Sequence, residues 1–323
     1  MHPLELENKE FEGENSAYLI DGGDETMLVD TGVSTPDVRV QLERELASNG
    51  CEPRDLDRIL LTHWHQDHAG LAGELQAESG ATVHVHEADA PMVRRNAGVE
   101  SLLREKERAR YESWGVPAGK DAELFEFLDS AAGKEERPPT DLVEFSDGDR
   151  FSVGDYTLRV VHTPGHTAGL SCFAFEGDTG PEAFVGDTIL PVYTPNVGGA
   201  DPRVDRPLER YLSSLDVLRE LDLVRAWPGH RRPIGTPDER IRTIEHHHRE
   251  RTERVVDVLE THGPADAWTV SAHLFGELHA IHILHGPGEA FAHLDHLDRH
   301  GVVEREDGEY ALVEAPASLD DLF

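Results

Sequence analysis

Apolar residues recur along this chain with two different periods. Between residues 15 and 31 short apolar runs alternate with Gly and Asp turns, the pattern of strands joined by tight turns. A three-to-four spacing over residues 37–49 predicts a helix, and Ile59-Leu60-Leu61 a buried strand. Further strands are predicted at residues 82–86, 156–161, 183–185 and 223–227, and the last three run into Gly-containing turns. Strands stop between residues 87 and 140. There, residues 92–114 and 121–132 carry charged, helix-favouring side chains with apolar positions at helical spacing, so a helical insertion is expected over about residues 88–140. It reads equally as a cap leaning over a pocket and as an arm joining copies in a homo-oligomer.

After Pro233 and Pro237 the pattern turns helical. Helices are expected at 240–262, 270–275 and 288–300, followed by a hairpin of Val302-Val303-Glu304 and residues 309–313 around Asp307-Gly308. With 323 residues, 38% of them apolar, the chain is long for one domain and comfortable for two, expected at 1–235 and 236–323.

Against that framework, one stretch stands out chemically. Thr62-His63-Trp64-His65-Gln66-Asp67-His68 follows directly on the buried Ile59 strand. His63 and His65 are two apart, so an extended backbone points both to one side, and Asp67 and His68 follow as the chain turns. Imidazole and carboxylate are ligands of zinc and similar divalent ions. His84 and His86 share the two-residue spacing, but no Asp-His follows, and they read as strand residues. Downstream, His166 in Thr163-Pro164-Gly165-His166-Thr167, Asp187 after Gly186, and His230 after Pro228-Gly229 each sit where a strand ends in a turn.

In that order, these motifs resemble the metallo-β-lactamase superfamily over roughly residues 13–235, and Leu28-Val29-Asp30-Thr31-Gly32 resembles its opening motif. The resemblance implies an α/β fold, an αββα sandwich, with seven metal ligands. His63, His65 and His166 would hold one ion, Asp67, His68 and His230 a second, and Asp187 would bridge them; Asp30 would support the ligand loop from behind. Two divalent ions, zinc first, lower the pKa of a shared water from 15.7 to about 7, so the implied chemistry is hydrolysis by a bridging hydroxide with Asp67 orienting it. His162 shares the turn of His166 and reads as a supporting or structural residue. Tyr193 could donate to an oxyanion, although a packed loop aromatic is the plainer reading.

The tail order of three helices and a hairpin is that of a winged helix, and after such a core it resembles the β-lactamase-like protein 2 group, which includes an animal endoribonuclease. A small ester, thioester or lactone, as in glyoxalase II-like thioester hydrolysis, is the expected substrate class; an endoribonuclease and an iron-dependent persulfide dioxygenase are the alternatives. Charge opposes RNA. Residues 239–323 hold seven Arg and Lys against eighteen Asp and Glu, and phosphate contacts need cations. The tail histidines read as packing and solvated residues, not as a second metal cluster.

Over the whole chain 64 Asp and Glu face 30 Lys and Arg, a net charge of −34, and only Lys9, Lys106, Lys120 and Lys134 are lysines. Such a surface repels itself in dilute buffer and is screened in molar salt, the signature of a halophilic protein. Cys51 and Cys172 alone cannot make a disulfide framework, and neither a signal peptide nor an apolar run long enough for a membrane span is evident, so a cytoplasmic location is expected.

Overall fold

The computed structural model describes residues 1–8, 13–94, 105, 107–131, 140–313, 318–319 and 322–323. They divide into two compact units, one formed by residues 1–99, 135–195 and 214–241, the other by 100–134, 196–213 and 242–323. Each unit is therefore built from three chain segments, a division that follows no single cut near residue 236.

The first unit contains two mixed sheets. One has six strands in sequence order, β1 (His2–Leu6), β2 (Asn15–Asp21), β3 (Thr26–Val29), β4 (Arg58–Leu60), β5 (Thr82–His86) and β6 (Leu142–Phe145). The other runs β11 (Arg225–Pro228), β10 (Gly180–Gly186), β9 (Ser171–Gly177), β8 (Tyr156–His162), β7 (Arg150–Val153). Strands β3 to β6 are mutually parallel, as are β10 and β11, while the other pairs are antiparallel.

Side-chain alternation divides the first sheet between two cores. Tyr18, Ile20, Met27, Val29 and Leu60 pack with Phe173, Phe175 and Phe184 of the second sheet. Their neighbours Leu19, Leu28 and Ile59 face the other way, onto Leu42 and Leu46 of α1 (Pro36–Ser48) and Leu75 of α3 (Ala72–Ser79). Between α1 and α3 lies the single turn α2 (Gln66–Ala69). Helix α1 is set by Thr35, whose hydroxyl accepts from the Val38 N–H, and by Pro36 at its first position. The predicted helix 37–49 is thus one residue out at each end.

In the second unit the insertion and the C-terminal segment share a core. A helical segment whose described part spans residues 107–113, and α5 (Lys120–Ala131), contribute Tyr111, Trp114 and Leu124. These pack with Val255, Leu259, Val270, Phe291 and Leu294 from α7 (Pro237–His262), α8 (Ala267–Phe275) and α9 (His282–Arg299). The Trp114 carbonyl accepts from the Trp268 N–H at 2.8 Å, and the Trp114 and Phe291 rings lie 5.6 Å apart. In chain order, α6 (Pro207–Glu220) precedes these helices, and strands β12 (Val303–Glu306) and β13 (Glu309–Leu312) form the expected hairpin after them. Much of the first predicted insertion helix falls outside the described residues; α4 (Ala90–Arg94) is a separate short helix in the first unit.

The helix expected at 288–300 begins six residues earlier and carries Pro287 inside it. Gly286-Pro287-Gly288 looks like a breaker in sequence. In the fold, Gly288 is a packing requirement, since a Cβ there would lie 2.3 Å from the Gly199 Cα.

Within this unit His248 and His293 are fully buried. Thr252 donates its hydroxyl to the His248 carbonyl at 2.9 Å, so it accepts from His293 Nδ1 at 2.7 Å, and His293 Nε2 faces His248 Nδ1 at 3.5 Å. This arrangement leaves room for one proton between the two rings, so they cannot both be charged. Burial, aided by His247 and Arg251, lowers His248 to about 3, and burial, aided by His248 and Arg251, holds His293 well below its ordinary value. Unfolded imidazoles take up protons below about pH 6.5, so the unfolded state binds more protons between pH 6.5 and 3. Stability is therefore full above that window and falls as pH drops through it, by up to about 1.4 kcal/mol per pH unit for each histidine. Melting curves from pH 7 to 4 should show a shallower decline for His293→Gln than for the parent chain; parallel declines would remove the buried pair as the cause.

Candidate metal centre

The ligand loop begins at the C-terminal end of β4. Asp30, at the end of β3, has a left-handed backbone (φ 58°), and its N–H donates to the Leu60 carbonyl. One carboxylate oxygen of Asp30 accepts from the Thr62 N–H at 2.8 Å, and the other from the Thr62 hydroxyl at 2.7 Å and from His68 Nδ1 at 2.9 Å. The Thr62 hydroxyl, having donated its proton to Asp30, accepts from His63 Nδ1 at 3.0 Å. His230 Nδ1 donates to the Gly13 carbonyl at 3.2 Å. Each of these partners fixes the proton on Nδ1 and leaves the Nε2 lone pair free to face the centre.

The seven residues singled out in the sequence as ligands all come together. They fall into three groups whose ligand atoms lie within 4.8 Å of one another: His63, His65 and His166; His63, His68 and Asp187; Asp67, His68 and His230. His65 Nδ1 is 3.0 Å from His63 Nε2 and 3.1 Å from His166 Nε2. Asp187 reaches from the end of β10 with one oxygen 3.5 Å from His68 Nε2 and the other 3.4 Å from His230 Nε2 and 3.6 Å from His166 Nε2. Asp67 Oδ2 lies 3.4 Å from His230 Nε2 and accepts from the amides of Asn8 at 3.2 Å and Asn15 at 3.3 Å. Neither Asn was found from sequence, because a lone Asn in an N-terminal strand or loop carries no distinguishing spacing.

These side chains fit a divalent cation. His68 Nε2, His230 Nε2 and Asp187 Oδ1 are buried without a hydrogen-bond partner, and all three face the same space. Buried orphan acceptors are costly unless something positive satisfies them. Backbone packing leaves the space open: a Cβ at Gly229 would lie 2.4 Å from Asp187 Oδ1 and 2.5 Å from His68 Cε1. The electrostatics match. Burial depresses His63, and its histidine neighbours depress it further. Burial also opposes charge on His68 and His230, but the carboxylates of Asp67 and Asp187 prevail, raising His68 to about 9 and His230 well above its ordinary value. Burial would raise the two carboxyls, yet the surrounding imidazoles hold both well below the usual carboxylate range. The centre is thus a negative pocket that protons occupy when no metal does.

The remaining candidates lie elsewhere. His162 Nε2 donates to the Ala168 carbonyl at 2.9 Å and its ring stacks on that of His86 at 4.0 Å, and it belongs to none of the three groups. His84 packs edge-on against Phe151. Tyr193 is 48% exposed, with the Arg231 guanidinium 5.1 Å from its ring centre and its carbonyl accepting from Arg240 at 2.6 Å.

Known proteins extend this picture. A metallo-beta-lactamase family protein of known structure from Thermus thermophilus is 31% identical and superposes with a TM-score of 0.75, covering 96% of this chain and 98% of that one. Among curated proteins, a beta-lactamase-like protein 2 homolog of Drosophila melanogaster is 28% identical over 250 residues, 75% of this chain and 66% of that protein. An atrochrysone carboxyl ACP thioesterase of Aspergillus fumigatus is 26% identical over 245 residues, 76% of this chain and 44% of that protein. The chain therefore spans less than two thirds of the length of either curated relative. No described helix is long and apolar enough to cross a membrane. The pattern of the metallo-beta-lactamase superfamily matches residues 11–230, the stretch that contains every strand of the two sheets except β1 and every residue of the His/Asp cluster, and the chain belongs to that superfamily.

Proposed function

We propose that the protein is a hydrolase dependent on two divalent ions, zinc first, acting on a small ester, thioester or lactone. The convergence of seven buried or half-buried ligand side chains, with three orphaned polar atoms aimed into one space, carries this reading. His63, His65 and His166 would hold one ion, Asp67, His68 and His230 the other, and Asp187 both. When bound, the pair supplies water ionised near neutral pH and a Lewis acid for the scissile carbonyl. The chain's own contribution is positional. Asp30, Thr62 and the Gly13 carbonyl fix the imidazole tautomers, and Asn8 and Asn15 hold one oxygen of Asp67 so that its carboxylate orients the attacking water. The thioesterase among the relatives favours an acyl substrate.

We read the tail helices α7, α8 and α9 and the β12–β13 hairpin as a winged-helix-like module and assign them a packing role in place of RNA binding. Seven basic against eighteen acidic residues over 239–323 leave too little positive charge to hold a phosphate backbone. The test is one panel of a thioester, a lactone, a phosphodiester and RNA, assayed beside metal analysis. An acyl substrate should be hydrolysed, the activity should vanish on chelation and return with zinc, and RNA should stay intact. A single iron per chain with oxygen consumed on a persulfide, or RNA cleavage outpacing ester hydrolysis, would replace this reading.

A further inference from the structure

Asp89 is fully buried in the turn after β5, and nothing in its sequence surroundings marks it. Its carboxylate accepts from three groups. Oδ2 takes the Trp64 N–H at 3.3 Å and the Thr167 hydroxyl at 2.8 Å, and Oδ1 takes the Gly169 N–H at 3.0 Å. Trp64 lies between His63 and His65, and Thr167 directly follows His166, so these two donors belong to residues adjacent in sequence to the three imidazoles of a single group. Packing at this joint is close: a Cβ at Gly169 would fall 2.6 Å from the Asp89 carboxyl carbon.

The other half of the cluster has different supports. His68 is held by Asp30, Asp67 by Asn8 and Asn15, and His230 by the Gly13 carbonyl. The three Asp89 hydrogen bonds run instead to the His63–His65 loop and to the stretch just after His166.

We infer that Asp89 is a positioning residue for the three-histidine half of the centre: it ties the His63–His65 loop to the His166 turn and sets their spacing for one ion. The inference rests on the metal-site reading above. A buried carboxylate accepting from two loops fixes them at the distance a small cation needs, so the ordering cost is met before the ion arrives. Without it, the His63/His65 loop and the His166 turn can separate, while Asp67, His68 and His230 keep their own partners.

The experiment compares the parent chain, Asp89→Asn and Thr167→Val by cobalt titration with visible absorption and by competition against a chelator. The parent chain should take up two ions. Both variants should bind one ion with parental affinity and the other about 10- to 100-fold more weakly, the range seen when the supports behind metal ligands are removed. Thr167→Val deletes one hydroxyl and is the milder change, so it reports even if Asp89→Asn folds poorly. A merely structural role would lower the melting temperature and leave both affinities equal to the parent's, which would overturn the inference. Equal weakening at both sites would also overturn it. Absence of cobalt binding by the parent chain would instead remove the metal-site reading itself.

Discussion

Under the proposed two-ion hydrolysis, Asp187→Ala is expected to lose at least one of the ions and to reduce the rate by on the order of a thousandfold, about 4 kcal/mol of transition-state stabilisation. The carboxylate is buried, one oxygen has no hydrogen-bond partner, and its two oxygens lie 3.4 to 3.6 Å from the Nε2 atoms of His68, His166 and His230. It thereby reaches imidazoles from both halves of the cluster. Its removal takes away the negative charge that offsets repulsion between two cations. Elemental analysis of chain purified in zinc, paired with kcat on the best substrate of the panel, reads both effects. Asp187→Asn separates charge from shape: it keeps an oxygen in place and should still bind metal poorly. Full metal content with parental kcat in either variant would mean that the centre is assembled without this carboxylate.

The second large effect concerns salt. The melting temperature should climb as KCl rises from about 0.1 to about 2 M, with most of the gain below about 1 M, where the Debye length shrinks from about 10 to about 3 Å. The cause is visible locally as well as in the net charge of −34. In the β12–β13 hairpin alone, Glu304, Glu306, Asp307 and Glu309 are exposed, with Arg305 as the only strong base among them. A screening gain of about 4 kcal/mol corresponds to a rise on the order of 10 °C at this size. Repeating the series with an uncharged osmolyte distinguishes screening from general solvent exclusion, because the osmolyte leaves charge repulsion in place. A melting temperature that is flat or declining in KCl ends the halophilic interpretation.

How much of this was legible in the sequence depended on the range of the interactions. The ligands were readable because their chemistry is local: His63 to His68 lie within one turn after a strand, and His166, Asp187 and His230 each follow a short apolar run and a glycine. Ala17-Tyr18-Leu19-Ile20 is an unbroken apolar run, so the sequence did not tell which core Leu19 enters and which Tyr18 and Ile20; the layers packed on the two faces of the sheet decide it. Asp89, Asn8 and Asn15 were not readable, since their importance comes from partners up to 80 positions away. The early start of α9 was hidden for a related reason. A Gly-Pro-Gly stretch follows the local rule for a break, but contact with the backbone at Gly199 determines its conformation.

The three-segment construction of the second unit has a consequence for synthesis. Tyr111, Trp114 and Leu124 leave the ribosome long before Val255, Phe291 and Leu294, the residues that cover them. The first unit faces the same wait over a shorter interval, until β11 is made to complete its second sheet. Nascent chains therefore carry an aromatic patch in the insertion with no mate for a large part of their elongation, a period in which surface acids of neighbouring chains repel one another. The acidity expected to burden the finished fold in dilute buffer would, on the ribosome, keep unfinished copies apart until the last helices arrive.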